Sequence, residues 1–257
     1  MDRYSYSFQS VLRFDAAVGR HFFKLRCVPC VNSCQRILSK TLSLHPAVCL
    51  TEGMDALGNG IQYGHTLAEH DAFVFCSYGV VALEDYRLAE DVHPMYRQES
   101  GLTPVNLNMM DWARDAVRGV RGEAERALAL SEAVNGWMTY VAGATDNRTT
   151  ALDAFSSRVG VCQDYAHLLI SLCRAQGMAA RYVNGFIEGV GATHAWAEVY
   201  DGEAWIGLDP TNNVMIKTGY IKIAHGRDAN DCPVNRGMYI GGCAQESEIR
   251  VLVERKG

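Results

Sequence analysis

The feature that most constrains the fold is a pair of alternating polar and apolar runs in the second half of the chain. The first run, Thr193–Tyr200, reads THAWAEVY, and the second, Glu203–Asp209, reads EAWIGLD. Strict alternation over seven or eight residues is typical of a β-strand with two different faces. Asp201-Gly202 between the runs is the strongest short hairpin signal and predicts a two-residue type I′ turn. The sequence therefore predicts antiparallel strands here.

This turn would decide which side chains face each other. With a two-residue turn, Tyr200 lies opposite Glu203 and, further along, His194 lies opposite Asp209. An imidazole and a carboxylate in that relation can form a hydrogen bond that orients the imidazole, although a surface pair with no catalytic role would look the same. The other face of the hairpin is wholly apolar and is expected to face the core. It consists of Ala195, Ala197, Val199, Ala204, Ile206 and Leu208.

A cysteine lies at the predicted start of a helix upstream of this hairpin. The helix is expected from about Cys162, because apolar residues then recur at helical spacing and Gly177 follows where a helix would end. The unpaired N–H groups and the dipole at a helix N-terminus favour negative charge, so a thiolate would be stabilised there. Gly160 would allow a tight turn and leave room for a substrate. Taken alone, Cys162 could equally be a small buried residue, as most free cysteines are.

Together, the three residues indicate a nucleophilic enzyme. A thiol at a helix start, a base on a later strand and a carboxylate beside that base form the arrangement that activates cysteine for acyl transfer. Cys162 is the expected nucleophile, His194 the base and Asp209 the acid that orients the base. Pro210 cannot donate a ladder hydrogen bond and should end the strand, so Asp209 is expected at the rim of the sheet.

Composition disfavours several other classes. The 257 residues carry a net charge of −5 with no long basic block, so neither nucleic acid nor an anionic membrane is an expected partner. No apolar stretch approaches the roughly 20 residues that span a bilayer. Residues 1–10 lack the apolar segment of a secretory signal. Nine cysteines at irregular spacing indicate reduced thiols, and the cytoplasm is the expected location.

The patterns along the chain predict an α+β fold in two parts. Residues 1–88 contain short alternating runs and turn residues, and are predicted to form a β-rich N-terminal domain. Residues 105–257 contain the helical patterns, beginning near Glu123, and the hairpin, and are predicted to form the catalytic core. Residues 86–108 are expected to connect the two parts. Strands expected at about 235–255 could pack with either domain.

These segments resemble the transglutaminase-like superfamily, in particular its bacterial transglutaminase-like cysteine proteases. The resemblance rests on GVCQDYAHLLISLCRAQGMAARYVNGF, THAWAEVY and WIGLDPTN, with weaker likeness at AHGRDANDCPVNRGMYIGG, YSYS and DALGNGIQYG. It implies a papain-like core in which a helix carrying Cys162 packs on an antiparallel sheet carrying His194 and Asp209. It also implies a peptide or protein substrate and no cofactor. The oligomeric state is left open.

The resemblance leaves three functions open. The first is hydrolysis of an amide or peptide bond through a thioester intermediate, and the second is transfer of the acyl group to an amine, as in transglutaminases. The third is a non-enzymatic interaction module, because one fold can serve many functions. Gln163, Tyr140 and Trp196 are weaker candidates for contacts with the substrate or its oxyanion, and Trp196 has core packing as an alternative.

Two further groups have more ordinary interpretations. Cys27, Cys30 and Cys34 are spaced like metal ligands, but zinc and iron–sulfur sites normally use four, so packing is favoured and no metal site is predicted. Asp228 and Asp231 would be able to line a cleft, but aspartate is an ordinary loop residue and a structural role is favoured.

Overall fold

The computed structural model describes residues 1–257 and contains sixteen β-strands and four α-helices. The strands are β1 (Asp2–Leu25), β2 (Gln35–His45), β3 (Thr51–Met54), β4 (Gly60–Thr66), β5 (His70–Leu83), β6 (Arg87–Leu88), β7 (Thr139–Tyr140), β8 (Val159–Gly160), β9 (Ala180–Ile187), β10 (Gly189–Gly191), β11 (His194–Tyr200), β12 (Trp205–Asp209), β13 (Val214–Met215), β14 (Tyr220–Gly226), β15 (Asn235–Ile240) and β16 (Gln245–Lys256). The helices are α1 (Leu107–Ala116), α2 (Glu123–Trp137), α3 (Ala151–Ser157) and α4 (Cys162–Ala175). No helix is both long enough and apolar enough to cross a membrane.

The N-terminal sheet is organised around β1, which pairs with four other strands. Residues 2–13 lie between β5 and β16, whereas residues 19–25 lie between β4 and β15. The register against β5 shifts between Arg13 and Val18, and the register against β15 shifts between Gly19 and Phe22, where Arg20 adopts a left-handed conformation with φ of 45°. An irregularity of this kind bends a strand and increases its twist, so one strand can contribute to both halves of an eight-stranded antiparallel sheet.

The last strands of the chain complete this N-terminal sheet. β16 pairs with β1 over its whole length, from Phe14 opposite Gln245 to Arg3 opposite Lys256. The sequence left open which of the two parts these strands would join. Because they pair with β1, they belong to the N-terminal sheet and not to the sheet of the core predicted as residues 105–257. At the other boundary, β6 pairs with β12, so Arg87 and Leu88 already belong to the core sheet. Neither pairing could be anticipated, because strand partners so distant in the chain leave no local pattern.

The core sheet is antiparallel and carries α4 on one face. Its strands follow the order β13-β12-β11-β9-β14, with β6 also on the edge of β12. Every residue of α4 from 164 to 174 is buried, so this helix is enclosed on all sides. The predicted helix end is confirmed: Gly177 has φ of 79°, and its N–H donates to the carbonyl of Arg174 over 2.9 Å. Helix α1 lies partly in the expected connecting segment and was not predicted.

The two parts share one hydrophobic core. Phe186 of β9 stacks on Phe8 and Tyr6 of β1, with ring centroids 5.3 and 6.0 Å apart. Hydrogen bonds also connect the N-terminal part to β14, because the side-chain amide of Gln35 makes two 2.8 Å hydrogen bonds with the backbone of Lys222. The N-terminal part is therefore packed directly against the sheet that carries the candidate site.

Candidate active site

Cys162 is the first residue of α4, and a neighbouring carboxylate organises this end of the helix. Asp164 Oδ2 accepts a hydrogen bond from the backbone N–H of Val161 over 2.8 Å. The hydroxyl of Thr145 donates to the same oxygen over 2.6 Å. These contacts fix the residue before the thiol, while the N–H groups of Cys162 and Gln163, at the start of the helix, have no intrahelical acceptor. Cys162 is thus held at a positive helix end with donors beside its sulfur.

The glycine before the cysteine has a different role from the one expected. A Cβ on Gly160 would lie 2.7 Å from Cβ and 2.8 Å from Oδ2 of Asp164. The space at Gly160 is therefore occupied by the carboxylate that caps the helix rather than kept for a substrate. The requirement for glycine here comes from this close approach and not from a tight turn.

The hairpin that carries the other two residues differs in register from the prediction. Tyr200 pairs with Trp205 instead of Glu203, so the loop contains four residues, Asp201–Ala204, and the register shifts by two. Asp201 Oδ1 accepts hydrogen bonds from the N–H groups of Glu203 and Ala204 over 2.9 and 2.8 Å, which stabilises the wider loop. A shift of two preserves the faces, because side chains alternate with period two.

His194 and Asp209 consequently remain on one face as diagonal neighbours, and they are in contact. His194 Nε2 lies 2.7 Å from Asp209 Oδ2. Asp209 is fully buried, whereas the side chain of His194 is 12% exposed. The imidazole therefore has one nitrogen committed to the carboxylate, and its Nδ1 is left for the thiol.

The carboxylate of Asp209 is surrounded by donors. Oδ2 accepts from the Tyr220 hydroxyl and from Asn212 Nδ2, each over 2.7 Å, and Oδ1 accepts from the backbone N–H groups of Thr211 and Asn212 over 2.9 and 3.2 Å. Burial opposes ionisation, but the hydrogen bonds and the charge of His194 outweigh it and hold the pKa of Asp209 below its ordinary value. Asp209 is accordingly an anion that faces the imidazole.

The electrostatics of His194 link it to both partners. Burial disfavours the imidazolium, but the hydrogen bond to Asp209, the charge of Asp209 and the nearby Cys162 side chain raise the pKa of His194 to about 9. A contribution from Cys162 requires its sulfur to lie near the ring. The structure therefore brings Cys162, His194 and Asp209 together in the order thiol, imidazole, carboxylate that nucleophilic catalysis by cysteine uses.

Two functional contacts escaped the sequence analysis. Asn212 had a detectable signal, because Asp-Pro-Thr-Asn after a strand is typical of a turn in which aspartate accepts backbone N–H groups. Tyr220 had none, since it reaches Asp209 from β14, which joins the sheet next to β9 rather than next to β12.

The weaker candidates lie in different surroundings. Tyr140 is 54% exposed on β7, where it pairs with Gly160, and burial followed by the charge of Cys162 raises its pKa. Gln163 is half-buried in the first turn of α4. Trp196 is fully buried and its ring lies nearly parallel to that of His194, at 26° and 6.4 Å between centroids. A side chain without exposed surface packs beneath the imidazole and does not contact a substrate.

The remaining candidates have structural partners. Asp228 accepts from the N–H of Asn230 over 2.9 Å, and Asp231 forms an ion pair with Arg227. None of the nine cysteines is in a disulfide. No group of three or more histidine, cysteine, aspartate or glutamate side chains is arranged to hold a metal ion.

Comparisons with known proteins match both parts of the chain to known families. Residues 110–210 match the model of the core of the transglutaminase-like superfamily, and residues 4–82 match the bacterial transglutaminase-like N-terminal region. An uncharacterized protein of Mycobacterium tuberculosis is 27% identical over 98% of this chain and 92% of its own length. A peptide-N(4)-(N-acetyl-beta-glucosaminyl)asparagine amidase of Gallus gallus is 34% identical over 73 residues, which are 28% of this chain and 10% of that protein.

A solved structure shows the same fold over nearly the whole chain. The protein, described as a "putative cysteine protease" from Cytophaga hutchinsonii, superposes with a TM-score of 0.81. The match covers 99% of this chain and 90% of that one at 22% sequence identity, which is a likeness of fold. The predicted α+β class, a papain-like core preceded by a β-rich region, is thereby confirmed. This chain thus combines a transglutaminase-like core with a bacterial transglutaminase-like N-terminal region.

Proposed function

We propose that the protein is a cysteine hydrolase of amide or peptide bonds, with Cys162 as nucleophile, His194 as base and Asp209 as orienting acid. The observation that carries the proposal is the 2.7 Å contact between His194 Nε2 and Asp209 Oδ2, on an imidazole whose pKa is raised by the nearby Cys162 side chain as well as by Asp209. The likeness of one segment to an amidase supports amide chemistry.

The proposed reaction proceeds through a thioester. The Cys162 thiolate attacks the carbonyl carbon, and the oxyanion that forms accepts hydrogen bonds from the free N–H groups at the start of α4. His194, as imidazolium, gives its proton to the departing amine, and the C–N bond breaks. The neutral imidazole then takes a proton from water, which attacks the thioester and releases the acid and the thiolate.

The test of the nucleophile is selective alkylation. Iodoacetamide at near-neutral pH should label Cys162 before the other eight cysteines, as measured by peptide mapping against time, and activity should fall in step with that labelling. The Cys162→Ser variant should lose the fast phase and the activity. Equal labelling rates for all nine thiols would contradict an activated nucleophile.

The fate of the acyl group is tested separately. Transfer to an amine is the second candidate reaction, because the matched core is transglutaminase-like. Incubation of a glutaminyl peptide with a labelled primary amine distinguishes the two, since hydrolysis yields free acid and transfer yields labelled peptide. Tyr140 beside the nucleophile is 54% exposed, so water reaches this edge of the site and we expect mainly free acid.

If the Cys162→Ala variant keeps every effect of the protein in cells, neither reaction is its function. The protein would then act as a non-enzymatic binding module. That outcome would leave the geometry intact but remove its catalytic interpretation.

A further inference from the structure

Behind the candidate site lies a buried polar cluster that the proposed reaction does not use. We name it the Glu198 cluster, and it consists of Glu198, Tyr86, Trp196, Arg181 and Lys222. All five side chains are almost completely buried. Four of them carry a charge or a hydroxyl, which is costly to bury without partners.

Glu198 is the centre of this cluster. Lys222 Nζ donates to both carboxylate oxygens over 2.8 and 2.9 Å, the Arg181 guanidinium donates to Oε2, and the Tyr86 hydroxyl donates to Oε1 over 2.5 Å. Burial alone would raise the pKa of Glu198, but the two cations outweigh it and lower that pKa well below its ordinary value. The anion of Glu198 therefore fixes the direction in which the Tyr86 hydroxyl points.

The Tyr86 hydroxyl connects this anion to the candidate site. Its oxygen accepts a hydrogen bond from Trp196 Nε1 over 2.9 Å. The Trp196 ring lies against the imidazole of His194 and makes an edge-to-face contact with Tyr220, with ring centroids 5.4 Å apart. Tyr220 in turn donates to Asp209. One indole thus supports both members of the imidazole–carboxylate pair.

Two glycines show how tightly these rings are held. A Cβ on Gly185 would collide with the Trp196 ring, and a Cβ on Gly207 would lie 2.9 Å from the Tyr86 ring. Both rings are packed against backbone on one side. The hydrogen bond from Trp196 Nε1 to the Tyr86 hydroxyl adds a directional contact to this packing.

Tyr86 comes from the connection to the N-terminal part. It follows the end of β5 by three residues, and its N–H donates to the carbonyl of Lys217 over 3.0 Å. Gln35 at the start of β2 holds the backbone of Lys222 with two hydrogen bonds. The connecting segment therefore supplies the hydroxyl, and the N-terminal part holds the strand segment that carries the lysine.

We propose that Tyr86 is a positioning residue, whose hydroxyl, directed by Glu198, fixes the Trp196 indole and through it the orientation of the His194 imidazole between Cys162 and Asp209. This proposal rests on the proposed function, because it assigns a role in the same site. It also gives the segment that connects the two parts a role in this site, as the source of the hydroxyl.

The test is the Tyr86→Phe variant, with Tyr6→Phe as the matched control. Tyr6 is also a buried tyrosine with one side-chain partner, Ser77 at 3.3 Å, but it lies in the N-terminal sheet. For each protein, the rate of Cys162 alkylation is measured against pH with iodoacetate, an anion, and with neutral iodoacetamide. The ratio of the two rates reports the imidazolium beside the sulfur. The titratable groups that face this imidazole are Asp209, Cys162 and Tyr220.

In the wild type and in Tyr6→Phe, the ratio should fall as His194 loses its proton, near pH 9. In Tyr86→Phe, a less well-held imidazole has weaker hydrogen bonds, so the fall should move down by about half a pH unit or more. The iodoacetate rate at pH 7 should fall about threefold to tenfold. A purely structural role would lower the melting temperature without moving this profile.

Failure of the positioning role and failure of the proposed function give different experimental results. If wild-type Cys162 is not labelled selectively, the proposed function fails. If labelling is selective but the Tyr86→Phe profile coincides with the wild type, or Tyr6→Phe shifts equally, the positioning role is overturned. If Tyr86→Phe does not fold, the Trp196→Phe variant provides the test instead. It keeps an aromatic ring under His194 and removes the N–H that donates to the Tyr86 hydroxyl. The same shift is expected there, and an unchanged profile would overturn the proposal.

Discussion

The two faces of the β11–β12 hairpin are both buried, yet they are stabilised by different physics. The face toward α4 is apolar, and none of its hairpin side chains forms a hydrogen bond. The opposite face holds Glu198, Asp209 and two tryptophans, all at most 1% exposed. His194 and Asp209 extend from this second face, because an imidazole and a carboxylate need donors and acceptors that an apolar face cannot offer. Burial alone therefore does not distinguish the two faces. The hydrogen-bond partners of the buried side chains show which face carries the functional residues.

The energetic roles of the faces differ as well. Each large apolar side chain on the α4 face stabilises the fold by about 1.5–3 kcal/mol through removal from water. Buried ion pairs gain little net stability, since desolvation offsets attraction, but the loss of one partner costs about 3–5 kcal/mol. The polar face thus fixes the orientation of the site side chains. Changes on that face should alter this orientation as well as stability, whereas changes on the α4 face should alter stability alone.

The largest effect is expected from Asp209→Asn. The carboxylate oxygens accept from donors on every side, so either orientation of an amide places its NH₂ group against a donor such as the Tyr220 hydroxyl or the Thr211 N–H. The imidazole would lose its anion, and the rate of acylation should fall by about 10³-fold or more. Steady-state turnover of a peptide amide measures this loss. A decrease of less than about tenfold would show that Asp209 does not orient His194.

The next effect in size is on stability, from Glu198→Gln. The amide keeps the shape but leaves Arg181 and Lys222 buried without their anion, so the free energy of unfolding should fall by about 3–5 kcal/mol. Urea denaturation measures it. As a control, Glu52→Gln removes the exposed partner of Lys40 and should cost less than about 1 kcal/mol. Equal costs for the two substitutions would mean that the polar face is effectively solvated.

On the α4 face, Leu208→Ala should cost about 3 kcal/mol, because it removes buried methyl groups and leaves a cavity. Leu208 lies next to Asp209 in the chain but points the other way. The fraction of protein that remains folded should therefore keep the wild-type rate of Cys162 alkylation. A reduced rate in the folded fraction would contradict the separation of the two faces.

The sequence predicted the faces of the hairpin better than its loop. Alternation assigned His194 and Asp209 to one side, and this survived a register error because the error was an even number of residues. The loop was wrong because Asp201 accepts two backbone N–H groups and favours four residues over the two of an Asp-Gly turn. The start of α4 at Cys162 was predictable, since local spacing and Gly177 define both ends.

What could not be predicted depends on contacts between distant residues. The burial of Glu198 depends on Arg181 of the adjacent β9 and Lys222 of β14 beyond it, and the polar alternation of β11 would equally fit an exposed face. The pairing of β1 with β16 joins Arg3 to Lys256, across almost the entire chain. Such partners are set by the fold as a whole, so the contact between His194 and Asp209 was accessible to sequence reasoning, whereas the support from Tyr220 and Tyr86 was not.

The smallest effect concerns the polar contact at the start of α4, on the otherwise apolar side of the sheet. Thr145→Val removes the 2.6 Å hydrogen bond to Asp164 and should cost about 1–2 kcal/mol near pH 8. Burial raises the pKa of Asp164, and the Thr145 hydroxyl opposes this by stabilising the anion. In the variant, the folded-state pKa of Asp164 rises further.

A folded-state pKa raised above the unfolded value favours the protonated carboxyl in the fold, so stability is lost as pH increases through the titration. The difference between Thr145→Val and the wild type should therefore be small near pH 4, grow with increasing pH and level off once Asp164 is ionised in both. Urea denaturation at several pH values measures this difference. Thr51→Val, at an exposed position on β3, should show no such trend. A pH-independent cost for Thr145→Val would mean that the hydroxyl does not stabilise the Asp164 anion, and that packing alone accounts for its contribution.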